Sequence, residues 1–380
     1  MPIDFHTIPS PCYVLDEALL RRNLSLIKSV KDAAGIDIIL AFKGFSMWGA
    51  FPIVREYING ATASSLHEAM LCFEEMKTEA HTYAAVYSDE EFPAILERSS
   101  FITFNSLSQY KRFYPVIKAS GKKVAIGLRV NPEYSEVTTE LYNPCAPGSR
   151  LGITSDQLGD RLPEGVDGLH FHSLCESNSF DLEKTLAAFE ARFGKYLHSA
   201  KWVNMGGGHL MTKKGYDTAH LIQLLKAFKA KYNVDVILEP GSAFAWQTGY
   251  LVTTVLDVVE NHGIKTAMID ASFTAHMPDC LEMPYQPKVL GASSEPEPNK
   301  PTYRLGGNTC LSGDYMGDWS FEKELEVGDK VVFDDMIHYT MVKTSTFNGV
   351  PHPSIGIWDE KTGFRLIKKF GYENFRDRLS

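Results

Sequence analysis

The sequence has little that would mark it for a membrane, a secreted scaffold or a nucleic acid. No apolar run approaches the length of a bilayer span, and the opening Met1-Pro2-Ile3-Asp4 lacks the basic-then-apolar layout of a secretory signal. A cytoplasmic protein without membrane contact is therefore expected. The six cysteines (Cys12, Cys72, Cys145, Cys175, Cys280 and Cys310) are scattered with no Cys-x-x-Cys pair, which argues against a disulfide framework and against a metal site. Basic residues are in deficit, 38 Lys and Arg against 47 Asp and Glu, for a net charge of −9. That balance disfavours a nucleic-acid partner and mildly favours a cationic ligand. There is no internal repeat and no low-complexity segment.

What the chain does have is length and a rhythm. Its 380 residues, 44% of them apolar, are enough for two domains with sizeable cores. Short β-rich runs recur over 38–43, 60–64, 82–86, 101–105, 125–131, 168–172, 202–206 and 236–239, with early spacings near twenty residues. Amphipathic stretches lie between them, among them 69–79 behind the capping box Ser65-Leu-His-Glu68, then 181–197 and 219–232. Eight strand–helix units predict a (β/α)8 TIM-like barrel, with a doubly wound sheet as the competing arrangement. Most runs end in a polar residue or glycine: Lys43, Asn105, Asn131, His172, the Gly206-Gly207-Gly208 triplet and Glu239. In a barrel those ends meet at the C-terminal face, where active sites form.

Beyond about Tyr250 the rhythm changes to strands with few helices, over 251–260, 266–271, 303–305, 330–333, 339–346 and 354–359. This predicts an antiparallel β-domain, to which 12–16 adds a strand. The expected division is a barrel over 17–250 and a β-domain of 1–16 with 251–380.

Several residues carry chemistry. Lys43 closes an apolar strand, and a partly desolvated amine has a lowered pKa and becomes a nucleophile fit for Schiff-base formation. Taken alone, it reads first as a strand-end lysine snorkelling to water. The triplet 206–208 lets backbone N–H groups approach a phosphate, or is simply a turn; it lacks the spacing of a dinucleotide fingerprint. Glu239, before Pro240-Gly241, is placed to face a pyridine nitrogen, and His172 to stack on a ring or to be a satisfied core histidine. The stretch Gly306-Gly-Asn-Thr-Cys310-Leu-Ser-Gly-Asp314 sets a thiol and a carboxylate in a glycine-rich loop suited to proton donation. Tyr339, ahead of Phe347-Asn348-Gly349, offers a hydroxyl to a phosphate oxygen.

In this order, Ala-Phe-Lys43, the His172 strand, Gly-Gly-Gly, Glu239-Pro-Gly, Cys310-x-x-x-Asp314, Tyr339 and Phe347-Asn-Gly resemble the alanine-racemase-fold (fold type III) decarboxylases that use pyridoxal 5'-phosphate (PLP). The ornithine, arginine and diaminopimelate decarboxylases belong to that group. The resemblance covers roughly residues 11–375. It implies that Lys43 binds PLP, His172 stacks on it, Glu239 pairs with its pyridinium, and Gly206, Gly207, Gly208 and Tyr339 hold its phosphate. It further implies that Cys310 reprotonates the substrate carbon, that Asp314 helps hold the substrate, and that both act in a homodimer across the subunit interface.

Three departures stand out. Ser242 replaces the arginine usual after Glu-Pro-Gly, Leu311 replaces an acidic residue after the cysteine, and Ile337-His338-Tyr339 stands for Gly-Ala-Tyr. With His276-Met-Pro-Asp279-Cys-Leu-Glu282-Met-Pro-Tyr285 and Lys43-Gly-Phe-Ser-Met-Trp48, they resemble the carboxynorspermidine/carboxyspermidine decarboxylase branch. That branch implies a small cationic polyamine-type substrate, decarboxylated to norspermidine or spermidine. Asp279, Glu282, Asp314 and Asp318 are the candidates to pair with its ammonium groups, and Ser242 also enters the substrate set. The alternatives are a diaminopimelate or other basic amino-acid decarboxylase and a non-catalytic PLP-binding protein. A racemase fits less well, because that chemistry needs a second proton carrier.

Overall fold

The computed structural model describes residues 2–380. The chain divides into two compact units, one of 1–22 with 245–380 and one of 23–244.

In the second of these a single parallel sheet runs in space from β2 (Asp37–Ile38) through β10 (Asp235–Leu238), β9 (Trp202–Asn204), β8 (Val166–His170) and β7 (Ala125–Arg129). It continues through β6 (Ser99–Phe104), β5 (Ala80–Tyr83) and β4 (Ala61–Ala63) to β3 (Leu40–Ala41). Strands β2 and β3 are two pieces of one run broken at Ile39, and that run pairs with β10 on one side and β4 on the other. The sheet thereby closes into the expected barrel.

The helices over Leu107–Ser120, Ser179–Leu197 and Thr218–Tyr232 start on side-chain caps from Ser106, Asn178 and Asp217. The box expected at Ser65 forms by half. Ser65 accepts from the Glu68 N–H, but the Glu68 carboxylate turns back to the Ser64 N–H, and the helix ends at Leu71 in a π turn. Inside the barrel the Trp202 indole packs with Ile39 and Ile237. It fits only because its neighbours on β7 and β8 are glycines: a Cβ on Gly127 or Gly168 would lie 2.3 or 2.2 Å from the ring.

The other unit is built on the long strand β11 (Gly249–Asn261). Its first half pairs with β1 (Cys12–Asp16) and β16 (Lys330–Asp334), and its second half with β12 (Ile264–Ile269). Strands β14 (Thr302–Gly306) and β15 (Tyr315–Phe321) continue one flank, with the short β13 (Ala292–Ser293) at its edge. Strands β17 (Ser354–Asp359) and β18 (Gly363–Lys368) continue the other. Most ladders are antiparallel, while β1–β17 and β12–β14 run parallel.

The strand expected over 339–346 does not form. Tyr339 takes a left-handed φ of +39°, which cannot continue a ladder, and a 3-10 turn follows at Met341–Lys343. Strand β15 was not expected, because Gly317, at φ +38°, and Asp318 interrupt its apolar pattern.

Candidate active site

The barrel unit brings Lys43, His172, Gly206–Gly208 and Glu239 together at the C-terminal ends of its strands. Lys43 follows β3, and its ammonium nitrogen lies 3.2 Å from His172 Nε2. The Gly207 N–H donates to His172 Nδ1 at 3.0 Å, so that nitrogen carries no proton and the neutral ring holds its proton on Nε2. Nε2–H then points at Lys43 Nζ, which can accept it only as an uncharged amine. The electrostatics agree. Lys43 is reachable by solvent yet walled by protein, and this poor hydration, reinforced by the Arg129 guanidinium, lowers its pKa from the ordinary 10.5. His172 is held well below 6.5, chiefly by burial, with the Arg129 guanidinium acting in the same direction. The site stores a nucleophilic amine beside a neutral imidazole.

Glu239 lies 8% exposed, just beyond β10. Burial opposes its ionisation, but hydrogen bonding and charge from His170, with help from Asn204 and His81, outweigh it and leave the pKa below 4.5. Asn204 Nδ2 donates to Glu239 Oε1 at 2.6 Å, and His170 Nε2 stands 3.4 Å from Oε2. His170 is itself lowered by burial, against the raising effect of the Glu239 carboxylate. Each carboxylate oxygen keeps a lone pair for a further N–H donor.

Asn204 couples two parts of the site, because its Oδ1 accepts from the Gly206 N–H at 2.8 Å. Gly206 and Gly208 have φ of +68° and +87°, and a Cβ on either would strike the 171–175 backbone at 2.5 or 2.3 Å. The triplet therefore requires glycine, and the loop runs bare against its neighbour.

Arg129, His170 and Asn204 were absent from the sequence-based set. They occupy one rung across β7, β8 and β9, with Arg129 opposite His170 and His170 opposite Asn204. Counting back two residues from Asn131, His172 and Gly206 would have found them, since alternate residues of a strand share a face. Arg129 is 4% exposed, lies 4.7 Å over the Tyr83 ring and reaches the His172 carbonyl at 3.3 Å. The strand-end asparagines serve the loops: Asn105 accepts from the Gly152 N–H and Asn131 from the Glu133 N–H. Ser242 opens a four-residue helix just after Gly241, whose backbone packs against Gly44.

The remaining candidates lie in the sheet unit. Cys310 is a free, exposed thiol. Asp279 is largely buried; its Oδ2 accepts from Tyr285 at 2.8 Å and Thr340 at 2.9 Å, while Oδ1 has no hydrogen-bond partner. Glu282 is ion-paired with Lys343. Asp318 Oδ1 stands 3.7 Å from Arg304. Asp314 is 4% exposed within the Cys310 loop. Tyr339 sits in its left-handed turn beside His338, which pairs with Asp335 at 3.1 Å and stacks on Trp246.

The donor set of the barrel site fits PLP. An uncharged amine suits its aldehyde, an ionised carboxylate its pyridine nitrogen, and a bare glycine loop its phosphate. Comparison with known proteins agrees. The family model for pyridoxal-dependent decarboxylases, described by their C-terminal sheet domain, matches residues 12–337. A carboxyaminopropylagmatine decarboxylase from Synechocystis is 50% identical over 98% of this chain and 96% of its own. A carboxynorspermidine/carboxyspermidine decarboxylase from Campylobacter jejuni is 44% identical over 98% of each. The crystal structure of C. jejuni carboxynorspermidine decarboxylase complexed with norspermidine superposes with a TM-score of 0.91 at 43% identity, covering 98% of this chain and all of that one.

Proposed function

The chain belongs to the pyridoxal-dependent decarboxylases, and from that premise we propose that it removes CO2 from a carboxylated polyamine. Its cofactor is PLP. The observation that carries the chemistry is the Lys43–His172–Glu239 arrangement, an amine of lowered pKa 3.2 Å from an imidazole of lowered pKa, with a carboxylate of lowered pKa in the same barrel mouth. The names of the relatives at 44–50% identity support the substrate class. Carboxynorspermidine or carboxyspermidine is the first reading. Carboxyaminopropylagmatine is a second one, favoured by the 50% relative and not anticipated from the sequence. The two differ in whether the far end of the substrate is an ammonium or a guanidinium.

When bound, PLP supplies an electron sink for the pair of electrons released as CO2 departs. The chain's own residues do the rest. Lys43 would hold the cofactor through its amine. Glu239, kept ionised by Asn204 and His170, would hold a proton on the pyridine nitrogen. His172 would lie against the ring, the glycine N–H groups with Tyr339 would receive the phosphate, and Ser242 would join the substrate contacts. Cys310 delivers a proton to the substrate carbon. The substrate's cationic arm meets Asp279, whose Oδ1 is uncommitted, with Glu282 close by in the chain. The exposed thiol lies among the exposed apolar side chains Leu311, Tyr315 and Phe347, which supports a homodimer that covers this loop. A cytoplasmic setting belongs to the same reading. No helix among the described residues is long and apolar enough to cross a membrane.

The test is CO2 release by the PLP-loaded protein on carboxynorspermidine, carboxyspermidine, carboxyaminopropylagmatine and diaminopimelate, with Lys43→Ala as control. Turnover of one carboxylated polyamine, lost in the control, establishes the reading and chooses the substrate. Preference for diaminopimelate overturns it.

A further inference from the structure

Asp314 enters the sequence reading as a substrate contact, but its surroundings leave it no free acceptor. Its Oδ1 accepts from the Ser272 hydroxyl and the Thr274 N–H, both at 3.1 Å. Its Oδ2 accepts from the Thr309 N–H at 3.1 Å and the Thr309 hydroxyl at 2.6 Å. Four donors on two oxygens fill the lone-pair sites that a carboxylate offers. The backbone closes around the same side chain. The Gly307 N–H donates to the Asp314 carbonyl at 2.7 Å, and the Asp314 N–H to the Leu311 carbonyl at 2.9 Å. A Cβ on Gly307 would lie 2.4 Å from the carboxylate, so the loop is wound directly upon it.

A second support comes from elsewhere in the chain. The Cys310 N–H donates to the Asn348 side-chain oxygen at 2.8 Å. Asn348 has a φ of +56°, a conformation that asparagine and aspartate tolerate better than most residues. Cys310 is thus held by its backbone while its thiol stays exposed.

We propose that Asp314 and Asn348 are positioning residues for the Cys310 thiol and that neither binds substrate. The carboxylate builds the loop, and the amide fixes the cysteine within it. This rests on Cys310 as the proton donor. A carboxylate that met the ammonium arm would show itself in KM for the triamine, whereas a loop-builder shows itself in kcat on any substrate.

The experiment measures kcat and KM of the PLP-loaded enzyme on the carboxylated triamine that it turns over and on diaminopimelate, whose distal ammonium is neutralised by a neighbouring carboxylate. Asp314→Asn puts an NH2 against donors; it is expected to lower kcat about a hundredfold on both substrates with KM nearly unchanged. Thr309→Val and Asn348→Gly each remove one partner and keep the backbone accessible, with about tenfold losses expected in kcat. Asn348→Asp, which keeps both the acceptor and the left-handed turn, retains most of the activity. A tenfold or larger rise in KM for the triamine alone in Asp314→Asn, with kcat kept, would make Asp314 a substrate ligand and overturn the proposal. Unchanged kcat in folded Thr309→Val and Asn348→Gly would overturn it too, even if Asp314→Asn does not fold. Cys310→Ala separates the two readings: full kcat there sinks the proton-donor role itself rather than the loop assignment.

Discussion

The two units set the reactive groups of the candidate site in different surroundings. In the barrel unit Lys43, His172, His170 and Glu239 are walled by protein, and desolvation and neighbouring charge move each from its ordinary pKa. In the sheet unit the reactive candidate, Cys310, is exposed on a loop. Around it Asp314 is saturated with hydrogen bonds, and Glu282 is ion-paired with Lys343. Electron-sink chemistry needs fixed charge in a low-dielectric setting, which strand ends of a closed barrel provide. Contact with a long, flexible, cationic substrate needs reach, which loops on a second scaffold provide.

That contrast can be broken by mutation. The largest effect is expected from Lys43→Ala, which should abolish CO2 release on every substrate and remove the absorbance of lysine-attached cofactor. Cys310→Ala should lower kcat by about 10²–10⁴-fold while leaving that absorbance intact, because only proton delivery is lost. If instead the absorbance vanished, the division of labour between the units would be wrong.

Asn204→Leu strips the carboxylate of its 2.6 Å donor and should cost about 1.5–3 kcal/mol in the ionised state of Glu239. The consequence is a fall in activity at the acid end of the pH profile. The direction follows from Glu239 being lowered in the folded protein. Its contribution to stability is complete above the unfolded pKa and is lost as pH falls through the folded one, and the variant narrows that window.

Lys43 sharpens the comparison through pH. Its pKa is lowered from 10.5, so the unfolded chain binds this proton at a higher pH than the folded protein does. Cofactor-free protein should gain stability as pH rises from the folded pKa to 10.5. Re-attachment of PLP, followed by absorbance, should stay fast well below the range of an ordinary lysine. The smallest effect on catalysis is expected from Gly168→Ala. It drives a methyl into the Trp202 ring and should cost about 1–3 kcal/mol of stability with KM unchanged, as thermal unfolding and kinetics would report.

Much of this architecture was legible in the chain. Apolar runs at twenty-residue spacing, each ended by a polar residue or glycine, follow from the one-strand-one-helix repeat, and local periodicity reports that directly. What local patterning missed has a common cause. Arg129, His170 and Asn204 lie two residues inside their strands, where a polar residue looks like an interruption until strand register sets it opposite another. The segment 339–346 has strand-like composition, yet Tyr339 takes a positive φ that no propensity announces.

By itself, then, the sequence determined the barrel, the order of the motifs and the residue types that PLP chemistry requires. Only the tertiary structure decided their states. The tautomer of His172 is set by a glycine N–H from another strand end, and the ionisation of Glu239 by donors on β8 and β9. The lone pairs of Asp314 are consumed by residues as far away as Ser272. Protonation and hydrogen-bond occupancy depend on distances between groups remote in the chain, and those distances exist only once the chain has folded.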